Sequence, residues 1–116
     1  MTRVPVKPLH RRARADADVL DAIDHYLAEA PEAAAGLIDA LEAAYRHIQR
    51  APATGSPRYA HELNLPGLRF WVCTRYPYLV FYMELTDRIE VWRVLHAKRD
   101  IPVWLQDASE HLPPQT

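Results

Sequence analysis

Basic side chains gather late in the chain, at Arg69, Arg75, Arg93, His96, Lys98 and Arg99. Two kinds of chemistry suit such a set. If the groups converge, arginines could stabilise charge developing in phosphodiester cleavage while His96 exchanges a proton. If they spread over a surface, they form a positive platform for an acidic protein or nucleic acid. Trp71 and Trp92 would then serve as stacking or anchoring rings. The third alternative is a cationic sheet edge without special role, with both tryptophans in the core. The six histidines (His10, His25, His47, His61, His96, His111) show no HxxxH or HExxH spacing, so no metal site is expected. His25 and His47 lie on polar parts of helical stretches, where a solvated ring is the simplest expectation. There is no Gly-rich phosphate loop, no zinc spacing and no nucleophile elbow.

The elements that must position these groups lie in Leu68 to Asp100. Leu68, Phe70 and Val72 alternate with Arg69, Trp71 and Cys73, a period suited to a pleated strand. Tyr76-Pro77 interrupts it, since proline lacks an N–H. A second run, Tyr78 to Leu85, sets Leu79, Phe81, Met83 and Leu85 against Tyr78, Val80, Tyr82 and Glu84. After the short link Thr86-Asp87-Arg88, a third run sets Glu90, Trp92, Val94 and His96 against Ile89, Val91, Arg93 and Leu95. Three strands with short links predict an antiparallel meander. Neither face is cleanly polar, so the sheet is expected to be covered on both sides.

The covers come from earlier in the chain. Val4-Pro5-Val6-Lys7-Pro8-Leu9 reads as extended and fit for a sheet edge, anchored by Val4, Val6 and Leu9. From Ala15 the period becomes helical, with Val19, Leu20, Ile23, Tyr26 and Leu27 as the apolar stripe. Asp16, Asp18, Asp21 and Asp24 favour the positive end of that helix. Pro31 stops it and opens a second helix to about Arg50, striped with Leu37, Leu41, Ala44, Tyr45 and Ile48. The pair predicts an αα-hairpin over one sheet face. Pro52 to Pro57 is a loop by composition, and Arg58 to Pro66 holds a short strand or is irregular. Pro102 to Gln106 suggests one helical turn.

The expected fold is thus α+β, in the order β-α-α-β-β-β with a short C-terminal helical turn. It forms a single domain over residues 1–106, with 107–116 as a disordered tail. The second sheet face has no cover within this scheme, and an open aromatic face rimmed by arginine is an interaction site.

Composition narrows the classes further. With 116 residues, 49% hydrophobic and 25% charged, the chain is an ordinary globular domain. The net charge of −1 hides a split. Arg3, Lys7, Arg11, Arg12 and Arg14 precede any acid, and the helical stretch is acidic. The sheet region is basic again. The lone Cys73 rules out an internal disulfide and reads as a small buried side chain. No apolar run is long enough to span a bilayer and no signal-peptide core follows Met1, so a cytoplasmic protein without membrane contact is expected.

The helical start DVLDAIDHYLAEA, the loop RAPATGSPR, then GLRFWV, YPYLVFY and above all IEVWRVLHAKRDIP resemble the ParE toxins of the RelE/ParE toxin–antitoxin superfamily. The resemblance spans Val6 to Leu105, nearly the whole chain. It implies a type II toxin that inhibits DNA gyrase and is neutralised by a cognate ParD-like antitoxin wrapped over it in a hetero-oligomer. No cofactor and no metal are implied, and nucleic acid enters only indirectly or through the antitoxin. Arg93, His96, Lys98 and Arg99 become candidates for target contact, and no residue is catalytic. Arg69, Trp71, Arg75, Tyr82 and Trp92 become candidates for antitoxin binding. RelE-like relatives instead cut mRNA on the ribosome, often with a Tyr or His near the C-terminus. No tyrosine follows Tyr82 here, but His96 could serve in such a mechanism with Arg69, Arg93 and Lys98. A domain that binds its antitoxin without being toxic is the third alternative.

Overall fold

Proline, helix period and a β-bulge decide most of the architecture. The computed structural model describes residues 6–110, the side chains of 106–110 excepted. Strand β1 (Leu9–Arg11) leads into helices α1 (Ala13–Glu29) and α2 (Pro31–Arg50). Pro31 has no N–H for α1 to use, so the chain breaks at Ala30, whose own N–H donates to the Tyr26 carbonyl. Pro31 then occupies the first turn of α2, where its fixed φ costs nothing. A 3-10 turn (Pro52–Thr54) and the short helix α3 (Arg58–Glu62) follow; the structure thus replaces the expected strand or irregular segment with a helix. Gly67, at φ +90°, turns the chain into β2 (Leu68–Val72). Strands β3 (Tyr78–Glu84) and β4 (Ile89–His96) complete the meander, and α4 (Ile101–Glu110) ends it.

The sheet order is β1-β4-β3-β2, with β2, β3 and β4 antiparallel and β1 parallel to β4. The sheet is therefore mixed, with the Pro-flanked strand at its edge as expected. Its pairing starts at Leu9, after the prolines, because each of them lacks a ladder donor. Val6 is correspondingly 63% exposed and anchors nothing; Val4 lies outside the described residues.

α2 buries the expected stripe: Leu37, Leu41, Ala44 and Ile48 are each 3% exposed or less. α1 keeps part of its expected stripe, with Val19, Ile23 and Tyr26 packed against the core, and is rotated away from the rest. It buries Ala15 and Ala22, while Leu20 and Leu27 remain 62% and 54% exposed. The cause is Asp18, whose carboxylate accepts from the Val94 N–H and from Arg93 and so turns that side of α1 onto β4.

The hairpin covers a face made of Tyr78, Val80, Tyr82, Ile89, Val91 and Val94. Strict alternation in β4 fails because of a bulge: Phe81 pairs with Arg93 and Tyr82 with Val91, leaving Trp92 between them. Past that point Trp92 joins Leu95 on the second face, while Val94 joins Val91 under the hairpin. The second face is not bare. Leu68, Leu79, Phe81, Trp92, Leu95, Ile101 and Leu105 form a second buried cluster, with α3 contributing Tyr59 and Ala60 and α4 contributing Trp104. The unexpected α3 and the expected C-terminal helix, longer than one turn, thus supply a partial cover. α4 runs to Glu110, past the expected domain end at Gln106; residues 111–116 lie outside the described residues.

Candidate functional site

Where β4 ends, α1, the β4–α4 turn and α4 converge on a cleft of about 290 Å³. Its walls are Asp21 and His25 from α1, Tyr78 from β3, His96 and Lys98 from the end of β4 and its turn, and Trp104 from α4. Beneath it lies a clasp. Arg93 donates from Nε and Nη2 to the two Asp18 oxygens at 2.7 and 2.8 Å, and from Nη1 to the Trp104 carbonyl at 3.0 Å. The Val94 N–H donates to the same carboxylate at 3.0 Å. Bidentate geometry and low exposure make this the strong form of an ion pair. It ties α1, β4 and α4 together and closes the edge of β4 beyond β1. Arg93 itself is 1% exposed, so its charge is spent inside the molecule.

His96 sits at the cleft edge, its ring packed edge-on to Tyr78 at 5.2 Å. The Lys98 N–H donates to His96 Nδ1 at 3.1 Å, which places the proton of the neutral ring on Nε2. Burial lowers its pKa, and Lys98, Arg99 and His25 lower it further, which favours the neutral ring. Nε2 then donates; accepting a proton as a general base would require breaking the Nδ1 bond or changing tautomer. Arg99 lies over the Trp104 ring at 4.3 Å, and Lys98 is exposed.

Comparison with known proteins bears on this arrangement. A family model described as "ParE toxin of type II toxin-antitoxin system, parDE" matches residues 9–101. The chain belongs to the ParE toxin family. A solved chain titled "Chromosomal ParDE TA system from P. aeruginosa" is similar to it in fold, with a TM-score of 0.67 and 21% identity, over 80% of this chain and 98% of that one. Comparison with curated proteins finds no match.

In this ParE family member the expected site residues separate into three groups. His96, Lys98 and Arg99 line the cleft together, with Arg93 below them. Arg69 stands apart: it pairs with Tyr82, four residues along β3 from the partner of His96, about 13 Å of strand. Its Nη1 donates to the Gly55 carbonyl at 2.8 Å. Arg69, Arg93, His96 and Lys98 thus do not meet at one point.

The antitoxin candidates are mostly turned inward. Tyr82 is 1% exposed beneath the hairpin; its hydroxyl donates to the Pro52 carbonyl at 2.6 Å and accepts from the Gly55 N–H at 3.1 Å. Trp71 faces the hairpin and stacks on His47, ring centroids 3.7 Å apart. His47 is thereby half-buried, contrary to the solvated ring expected on α2. Trp92 is 3% exposed, with Arg12 over its ring at 4.3 Å. Arg75 alone is exposed, at φ +70° in the β2–β3 turn. Alternation misplaces Trp92 because the bulge reverses the parity of β4, and α3 is a cover that residue periodicity does not reveal. Asp18, Asp21 and His25, overlooked from sequence, carry a usable signal: their spacing of three and four puts them on one side of α1.

Proposed function

We propose that this toxin acts by binding DNA gyrase and that a ParD-like antitoxin silences it by closing over the partly covered second face. The observation that carries this is the separation of the cationic groups. Arg93 is locked in its clasp and Arg69 is held at Gly55, while Lys98 and Arg99 present exposed charge in a turn. Such a turn suits electrostatic contact with an anionic partner rather than transition-state stabilisation, which needs donors converging on one atom. Family membership and the likeness to a ParDE chain support the same reading.

For the antitoxin, the second face keeps an apolar strip. Phe70 is half-buried, Val72 is 50% exposed and Val103 on α4 is 58% exposed. Exposed cations stand at Arg58, Arg75, Lys98 and Arg99. An acidic segment carrying aliphatic side chains matches both features.

The test uses purified toxin in two assays, gyrase supercoiling and translating ribosomes with mRNA. Inhibited supercoiling with intact mRNA is the expected result, and charge reversal at Lys98 and Arg99 should weaken it. Codon-spaced mRNA cleavage with unaffected gyrase would establish the RelE-like alternative, and His96→Ala should then lower cleavage by about 10²–10⁴-fold.

A further inference from the structure

The cleft at the end of β4 has two unlike walls. One is cationic, from Lys98 and Arg99; the other is the α1 side, with Asp18 and Asp21. The carboxylate of Asp18 is already satisfied by Arg93 and the Val94 N–H. Asp21 is exposed and, among the described residues, takes part in no ion pair. Lys98 is likewise without an ion-pair partner among them. The rings of Tyr78, His96 and Trp104 line the same cleft, with Arg99 over Trp104 at 4.3 Å and His96 edge-on to Tyr78. A volume of about 290 Å³ stands at the small end of ligand pockets and suits one nucleotide, not a duplex.

A ligand that fills this cleft must bring an anion to Lys98 and Arg99, a flat apolar body to the rings and a hydrogen-bond donor to Asp21. An acidic aliphatic peptide can meet Lys98 and Arg99 from the rim, but inside the cleft it brings no flat body to the rings and its carboxylates would face Asp21 as like charge. We propose that the cleft is a nucleotide site, with phosphate against Lys98 and Arg99, the base among the rings and the amino edge of the base on Asp21. Guanine fits best, because its N1–H and N2–H lie side by side and a carboxylate accepts both. Thymine has a single N–H donor on that edge. The inference rests on the gyrase reading, since it makes the toxin touch the nucleic acid of its target complex directly.

Fluorescence anisotropy with short fluorescein-labelled deoxyoligonucleotides tests it, comparing an all-thymine strand with one carrying a single guanine, at low salt. The full-length toxin should bind the guanine strand about tenfold more tightly, the discrimination of one good bidentate contact. Lys98→Glu should weaken both by tenfold or more and flatten the salt dependence by about 0.7 in slope; Lys98→Arg should restore binding. Asp21→Asn should erase the guanine preference and leave thymine binding intact. Competition by 5′-GMP separates the two sources: effective competition means that a free nucleotide suffices, weak competition that the strand is the ligand. No saturable binding, or equal binding by wild type and Lys98→Glu, would overturn the proposal. Supercoiling inhibition measured in parallel keeps the two readings apart. Inhibition without oligonucleotide binding rejects the nucleotide site alone, and binding without inhibition rejects the gyrase reading alone.

Discussion

The two faces of the sheet are covered by different means. Under the hairpin, helices of 17 and 20 residues lay Leu37, Leu41 and Ile48 onto Val80, Val91 and Val94. On the other face, a helix of 5 residues and the first turns of α4 cover Leu68, Phe81, Trp92 and Leu95, while Val72 and Val103 stay about half exposed. A long amphipathic helix presents a continuous stripe and can dry a sheet face alone. Short helices gain little from propensity and hold their place only through the few side chains they bury. The well-covered face serves stability, and the thinly covered one leaves apolar surface and charge for a partner.

Arg93 joins the two regions, so breaking its clasp should have the largest effect. Asp18→Ala removes the bidentate carboxylate from a guanidinium that is 1% exposed, and a cost of about 3–5 kcal/mol is expected in denaturant melts. A loss below about 1 kcal/mol would show that the clasp is incidental to the fold.

A matched pair of truncations sharpens the contrast. Leu41, 2% exposed at mid-hairpin, and Leu105, 0% exposed on α4, lose the same atoms on mutation to alanine. Leu41→Ala should lower global stability by about 3 kcal/mol. Leu105→Ala should cost less, because α4 can undock while the hairpin core stays closed. Amide exchange distinguishes the two: lost protection confined to α4 is expected for Leu105→Ala, and lost protection throughout for Leu41→Ala. Equal global losses would mean that both faces belong to one cooperative unit.

The same contrast explains what could be seen from the sequence. Leu37, Leu41, Ala44 and Ile48 repeat with helical period over many turns, and a signal of that length survives tertiary context. The meander was legible because Pro77 and Thr86-Asp87-Arg88 punctuate it. α3 escaped because one turn and a half of Arg-Tyr-Ala-His-Glu carries no period. Trp92 was placed beside Val94 because alternation presumes an unbroken ladder, and a bulge leaves no mark in residue type. Of the cleft, His96, Lys98 and Arg99 were legible as neighbours in sequence. Asp21 and His25 join it on the side of α1 that Asp18 ties to Arg93, a contact 75 residues apart in sequence.

A smaller effect is expected where the hairpin side meets the loop before α3. The Tyr82 hydroxyl bridges the Pro52 carbonyl and the Gly55 N–H. Tyr82→Phe strands both partners and should cost about 1–2 kcal/mol without moving the sheet. An unchanged melt would mean that the loop rearranges to satisfy them by itself.

The smallest effect belongs to the cleft, and its sign follows from His96. Burial comes first among the causes that lower its pKa, followed by the positive neighbours Lys98 and Arg99 and by His25 across the cleft. Asp18 and Asp21 also face this space, but Asp18 is committed to Arg93. The unfolded chain takes up this proton near a pH of about 6.5, while the folded chain resists it to a lower pH. Unfolding therefore binds protons in that window, and stability falls as pH drops from about 6.5 through the folded value. Well above about 6.5 the ring is neutral in both states and contributes no slope. Other histidines titrate in the same range, so the informative quantity is the difference between wild type and His96→Gln in denaturant melts from pH 8 to pH 5. Wild type should lose more stability on acidification than the variant. Parallel curves would mean that the ring takes up its proton as readily folded as unfolded, and that Lys98 and Arg99 do not press on it from their side of the cleft.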